Sequence, residues 1–281
     1  MNIKLNPGIK RHLRRFKIFV VHPLRIRFFP PRSLNFHIYD EIRRQSLPRP
    51  DIEMRTPEQY SQCGEDIIVL SILKAFALKN RVDISKFYFC EFGANHPVST
   101  SSTYLLAKVL KMKGLLVEAN PQLVPDLIRT RPEAIVVNSA VSNQNLDEVT
   151  FYLSNHSEIS SLSQSHVQKW REGEIGQKNV IRCPAIRYND LIERYLKGVR
   201  PLFVAVDIEG HDLEVLVDMN LDKYGPLVLQ IEAGDDFDSG PVKKMIDYLE
   251  SHGYSVLAKT KVNLIARKND ASDWLQQTND R

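Results

Sequence analysis

Phe89-Cys90-Glu91-Phe92-Gly93-Ala94-Asn95 is the stretch on which the reading of this chain turns. An apolar run ends in an acid and then a glycine, the pattern of a strand buried on both faces that stops at a tight turn. Working outward, residues 114–118 and 134–138 are further short apolar runs, with helical spacing at 103–110 and 123–129 between them. A helical pattern at 65–77 precedes the first run. Downstream come helices at 188–196, 211–217 and 241–252 and strands at 202–207 and 227–232, and the chain closes on 254–258 and 262–266 as an antiparallel hairpin. Strands alternating with helices over short connections predict an α/β fold. The sheet is Rossmann-like and mostly parallel, with helices on both faces.

Residues 141–187 interrupt this rhythm: 150–153 reads as an added strand, while 154–169 and 172–179 are polar. A segment of that length and polarity reads as an insertion or a lid over a substrate. The expected organisation is therefore a basic, proline- and aromatic-rich extension over 1–57, a catalytic domain over 58–270 containing the 141–187 insertion, and a tail over 271–281.

The 281 residues, 43% apolar and 26% charged, suffice for a substantial globular core. The net charge of +4 is unevenly placed: residues 1–60 carry 13 basic and 5 acidic side chains, whereas the remainder is net acidic. A basic arm on an acidic body points the arm, not the catalytic part, at an anionic surface, and a peripheral membrane contact through 1–57 is the sharper reading beside simple packing. Three separated cysteines, Cys63, Cys90 and Cys183, form no zinc pattern or disulfide framework, which fits a cytoplasmic protein. No apolar run is long enough to span a membrane.

In an open α/β sheet ligands bind beyond the carboxyl ends of the strands, and the unusual polar residues fall there. Gly93 lets backbone approach a ligand, and Glu91 and Asn95 offer an acceptor and an amide to its polar end. Glu118 closes the second strand, with Asn120-Pro121 just beyond, and a carboxylate there can accept both hydroxyls of a ribose. The loop Gly93-Ala94-Asn95-His96-Pro97-Val98 lacks the glycines of a pyrophosphate site, which disfavours a nicotinamide oxidoreductase, and no P-loop occurs. An acid-x-Gly loop followed by a ribose acid is the pattern expected for S-adenosylmethionine.

Six pieces in order resemble the FkbM family of S-adenosylmethionine-dependent methyltransferases: Ser61-Gln62-Cys63-Gly64-Glu65-Asp66, Glu91-Phe92-Gly93-Ala94-Asn95-His96-Pro97, Gly114-Leu115-Leu116-Val117-Glu118-Ala119-Asn120-Pro121, Asn138-Ser139-Ala140-Val141-Ser142, Ser160-Ser161-Leu162 and Val206-Asp207-Ile208-Glu209-Gly210-His211. The resemblance implies a class I methyltransferase fold and O-methylation of a hydroxyl, foremost of a sugar in a polysaccharide or glycolipid. It implies that Glu91, Gly93 and Asn95 line the methionine side, Glu118 the ribose and Ser139 and Ala140 the adenine. Gln62 and Asp66 would close the methionine end. The family's usual Asp at the first strand is Glu91 here, and Asp212 stands where Glu is commoner.

An alcohol is a poor nucleophile at neutral pH, so a base or a metal should assist. Asp207, Glu209 and Glu232 leave two apolar strands and are expected to surround the acceptor hydroxyl, with His211 as proton acceptor. The same three carboxylates could hold Mg²⁺ or a similar divalent cation. The plainer readings are salt-bridge partners for Glu91 and Glu118, a helix-capped turn for 207–210 and a merely exposed His211. Tyr152 and Trp170 form either a sugar-stacking platform or ordinary packing, and His156 and His166 read as solvated. A nucleic-acid partner is not expected, since the body is acidic and carries no recognition motif. Small-molecule or lipid acceptors, and a non-catalytic relative that only binds the cofactor, are the alternatives.

Overall fold

The computed structural model describes residues 59–156, 160–164, 167, 177–234 and 240–277. The chain divides into two compact units, residues 1–49 and 50–281, and the described residues all belong to the second. The expected extension over 1–57, together with Trp170 and His166, lies outside the described residues.

Helix α1 (Glu65–Asn80) starts behind Gly64 and turns Val69, Leu70, Leu73 and Phe76 inward at helical spacing. A single 3₁₀ turn at Ile84–Lys86 leads into β1 (Tyr88–Phe92). Then follow α2 (Tyr104–Leu110), β2 (Lys113–Glu118), α3 (Val124–Thr130), β3 (Ala134–Asn138) and the short β4 (Ala140–Val141). After β5 (Glu148–Ser154) and β6 (Gln177–Ile186) come α4 (Tyr188–Leu196), β7 (Phe203–Val206), α5 (Asp212–Asp218), α6 (Leu221–Tyr224) and β8 (Val228–Glu232). The chain ends with α7 (Gly240–Ser251), β9 (Tyr254–Lys259), β10 (Asn263–Lys268) and α8 (Ser272–Gln277).

Seven strands form one sheet in the order β3-β2-β1-β7-β8-β10-β9. All neighbours from β3 to β8 are parallel, and β10 runs antiparallel to both β8 and β9. The predicted parallel sheet with a C-terminal antiparallel hairpin is therefore what forms. Strand alternation splits the core in two. Cys90, Phe92, Val117, Val206 and Ile231 pack on one face against α4, α5 and α7, whereas Phe89, Leu116, Ala205 and Val228 pack on the other against α1 and α2. Burial on both faces explains why these strands read as continuous apolar runs. β1 and β7 are adjacent although 110 residues of chain separate Phe92 from Phe203, so their carboxyl ends open side by side at the point where the strand order reverses.

Two segments differ from the sequence reading. The end of the polar stretch 172–179 is not loop: β6 begins at Gln177 and, with β5 and β4, builds a separate three-stranded sheet, because Phe151, Leu153 and Cys183 bury a small core of their own with Ala140. The part of 271–281 expected as tail carries α8, anchored by Trp274, whose side chain is fully buried and whose indole Nε1 donates to the Pro201 carbonyl at 3.1 Å. One aromatic residue in a polar stretch gives no periodic signal, so that helix is not legible from pattern alone.

Candidate functional site

A cleft of about 760 Å³, counted to the solvent at its mouth, opens beyond the carboxyl ends of β1, β2 and β7. Of the cofactor residues expected from sequence, Gln62, Gly93, Asn95, Glu118, Ser139 and Ala140 line it. Asp207 and Glu209, expected at the reaction centre, line the opposite wall.

The turn after β1 is pinned by backbone: Gly93 and Ala94 donate to the Val117 carbonyl at 3.0 and 3.1 Å. Gly93 has φ +77°, and a β-carbon there would lie 1.8 Å from the Asp207 carbonyl oxygen, so only glycine lets the first turn pass the β7 end. Glu118 is buried, and its Oε2 accepts from the Asn95 amide at 2.8 Å while its Oε1 accepts from the Asn120 amide at 2.7 Å. Each carboxylate oxygen retains a lone pair for a hydroxyl donor. Burial pushes the Glu118 carboxyl up, and the Asn120 and Asn95 amides oppose it. The hydroxyl of Ser139 donates to the Pro184 carbonyl at 2.9 Å and so ties β6 to the cleft.

Glu91, Asp66 and Asn120 are not among the lining residues. Strand parity turns Glu91 under α2, where its carboxylate accepts from the Ser102 amide at 2.6 Å and from the hydroxyls of Ser101 and Thr103. The buried Arg131 guanidinium lies 3.9 Å away and also donates to the Pro97 carbonyl and the Ser101 and Thr103 hydroxyls. Burial raises the Glu91 carboxyl, with Arg131 the chief opposing influence. Glu91 and Arg131 thus hold the loop that carries Thr100 to the cleft wall. Asp66 caps its own end of α1, accepting from the Tyr60 and Ile67 amides at 2.7 and 2.9 Å and from the Ser61 hydroxyl at 2.8 Å. Asn120 accepts from the Gln122 amide at 3.0 Å in a turn behind Glu118.

The second wall is the turn after β7. Glu209 has φ +57° and Gly210 φ +96°, a left-handed pair that reverses the chain. Asp212, at the start of α5, accepts from the amides of Ile208 and Gly210, both at 3.2 Å, and Ser161 Oγ donates to the Glu209 carbonyl at 2.6 Å. Asp207, Glu209 and Glu232 each present an oxygen within 4.8 Å of the others. Removal from water raises Asp207 well above the usual carboxylate range, and neighbouring Glu209 and Asp212 add to it. Burial and the charges of Asp207, Asp212 and Glu209 push Glu232 up to about 10, and Asp212 is pushed up to about 7, chiefly by burial.

His211 is not at this wall. It borders a neighbouring depression with Ser142, Tyr152, Leu162 and Arg182, because the left-handed turn at 209–210 sends the chain away from the cleft. Tyr152 lies there too, and His156 is exposed. Thr100, Phe151, Ser160 and Leu162 line the cleft although no role is readable for them in the sequence. Ser160 and Leu162 had a signal, the quoted Ser-Ser-Leu motif; Phe151 had none, since it lines the cleft from β5, a strand of the separate three-stranded sheet.

A profile of the methyltransferase FkbM domain matches residues 91–256. Among solved structures, the chain is similar to a precorrin-6y methyltransferase from Geobacter metallireducens at 14% identity, over 78% of this chain and 96% of that one, with a TM-score of 0.37. It is similar to fibrillarin from Aeropyrum pernix at 12% identity over 69% and 73%, TM-score 0.35, and to a methyltransferase from Pyrococcus furiosus at 12% over 83% and 96%, TM-score 0.36. A search of curated protein sequences finds no match. Family membership rests on the profile, which runs from Glu91 in β1 to Val256 in β9 and so contains every lining residue of the cleft except Gln62.

Proposed function

We propose, for a chain that belongs to the FkbM family of methyltransferases, that it transfers a methyl group from S-adenosylmethionine to a hydroxyl, foremost of a sugar in a polysaccharide or glycolipid. The observation that carries this reading is the two-walled cleft, with the Gly93 turn and Glu118 on one side and Asp207 and Glu209 on the other. Glu118 offers acceptors to the ribose, Ser139 and Ala140 flank the adenine, and Gln62 and Asn95 stand toward the methionine end. The sulfonium methyl then faces the acidic wall.

The reaction is an in-line displacement, so positioning supplies much of the rate. The acceptor oxygen attacks the methyl carbon, the carbon–sulfur bond breaks with its electron pair going to sulfur, and the hydroxyl proton leaves to a base. The products are the methyl ether and S-adenosylhomocysteine. Burial raises the proton affinity of Asp207 and Glu232, so they keep their own protons more readily than free carboxyls do, and Glu209 at the same wall is the acid placed to take the hydroxyl proton. A divalent cation held by Asp207, Glu209 and Glu232 would serve the same end by acidifying the hydroxyl.

Among the described residues no helix is long and apolar enough to cross a membrane. A basic extension beside a glycolipid-bearing surface accords with this acceptor. Calorimetric titration tests the cofactor: saturable binding of S-adenosylmethionine with none of NAD is expected, and the reverse would overturn the reading. Mass spectrometry of cellular glycans with and without the protein tests the acceptor through one lost methyl group.

A further inference from the structure

Beside the acidic wall β7 and β8 end, and the antiparallel β10 begins, level with one another. Asp207 follows Val206, which pairs with Ile231, so Asp207 and Glu232 stand side by side at the ends of β7 and β8. Asn263 is the register partner of Glu232 across the antiparallel β8–β10 pair, and directly opposed residues send their side chains to the same face. Asn263 is 2% exposed, and its Oδ1 has no hydrogen-bond partner among the described residues. An orphaned buried carbonyl is costly and calls for an unseen partner.

The orientation of this amide is fixed from behind. Its Nδ2 donates to Glu65 Oε1 at 3.2 Å, and Thr260 Oγ1 donates to the same oxygen. A carboxylate only accepts, so the nitrogen must face Glu65 and the oxygen must face away from it. Glu65 is itself fully buried and receives the Cys63 amide at 2.8 Å. The amide oxygen is therefore turned away from Glu65, on the face of the sheet that Asn263 shares with Glu232 and Asp207.

We infer that Asp207, Glu209, Glu232 and the Asn263 side-chain oxygen form a binding site for one divalent cation. The donor set is all oxygen, with three carboxylates and one neutral carbonyl, which suits a hard ion such as Mg²⁺, Mn²⁺ or Ca²⁺. The 4.8 Å limit on the carboxylate oxygens is compatible with one ion between them, since ligands on opposite sides of Ca²⁺ lie about 5 Å apart. The ion supplies the partner that Asn263 lacks and offsets the like charges gathered at the strand ends. Glu65 is a positioning residue that aims the amide. The use of the ion rests on the O-methylation reading above; its binding does not.

The test is titration of the full chain with Mn²⁺, without cofactor or acceptor, followed by calorimetry and by the loss of the free-Mn²⁺ resonance signal. One ion per chain is expected in the wild type, displaced by Mg²⁺ or Ca²⁺. Glu209→Gln lies in a half-buried turn and leaves the core packing alone, and it should weaken Mn²⁺ binding about tenfold or more. Asn263→Ala should do the same, with circular dichroism confirming its fold. Absence of stoichiometric Mn²⁺ binding, or equal affinity in both variants and wild type, would overturn the site and leave protonated carboxyls as the partners of Asn263. Titration of the same samples with S-adenosylmethionine separates the two readings. Cofactor binding without Mn²⁺ binding sinks only the cation site, and Mn²⁺ binding without cofactor binding sinks only the methyltransferase reading.

Discussion

The carbonyl oxygen of Asp207 lies 1.8 Å from where a β-carbon on Gly93 would be. The two walls of the cleft thus meet at a point that admits no side chain. Gly93→Ala is expected to force the β1 and β7 turns apart and to abolish cofactor binding, since the clash is with backbone and the φ of +77° is itself unfavourable for alanine. Calorimetric titration with S-adenosylmethionine checks it. Wild-type affinity in a folded variant would show that the turns separate freely.

Glu118 makes a graded prediction. Its two oxygens already order the Asn95 and Asn120 amides, at 2.8 and 2.7 Å, while facing the cleft. Glu118→Gln keeps the shape but loses the anion and one acceptor. Hydrogen bonds to charged groups contribute about 1.5–3 kcal/mol, so cofactor affinity should fall roughly 10- to 150-fold. S-adenosylhomocysteine should lose affinity in the same proportion, because the ribose is common to both; a loss confined to one ligand would contradict the ribose role.

Glu91 and Arg131 are a buried pair 3.9 Å apart. Arg131→Met leaves Glu91 without its guanidinium, and breaking such a pair typically costs about 3–5 kcal/mol. Adding Glu91→Gln should recover part of the loss, because it removes the stranded charge. Urea unfolding of the two single variants and the double variant measures the coupling. Strict additivity would mean the pair is not acting as one unit.

The carboxyl of Glu232 is pushed up to about 10 by burial and by Asp207, Asp212 and Glu209. Between the ordinary carboxylate range and that value the folded protein keeps a proton that the unfolded chain releases. Stability contributed there is full in acid and is lost as pH rises toward 10. In metal-free buffer the melting temperature should therefore fall steadily from pH 5 to pH 9, apart from any contribution of other groups, and Glu232→Gln should flatten the decline. A wild-type profile that rises across this range, or an equally steep profile in the variant, would count against the raised carboxyl.

Much of the fold was legible because the central strands are buried on both faces. Runs such as Leu115-Leu116-Val117 and Phe203-Val204-Ala205-Val206 are then apolar at every position, and the acids Glu118 and Asp207 stand where their strands leave the core. The gathering of Asp207, Glu209 and Glu232 was readable for the same reason. β6 was hidden because it packs against β5 and β4 over a small core, not into the main sheet.

The sequence by itself determined the alternation of strands and helices, the glycine turn after β1 and the set of acids at the strand ends, since burial and backbone geometry restrict residue type locally. Tertiary structure alone decided which of those acids face the cleft. Glu91 precedes the last residue of its strand, and parity turns it under α2 to Arg131, while His211 is carried to the neighbouring depression by two left-handed residues. It also brought Glu65 to Thr260 and Asn263, partners 195 and 198 residues away. Such pairings satisfy buried polar atoms through contacts that exist only once the chain is packed, and no local pattern records them.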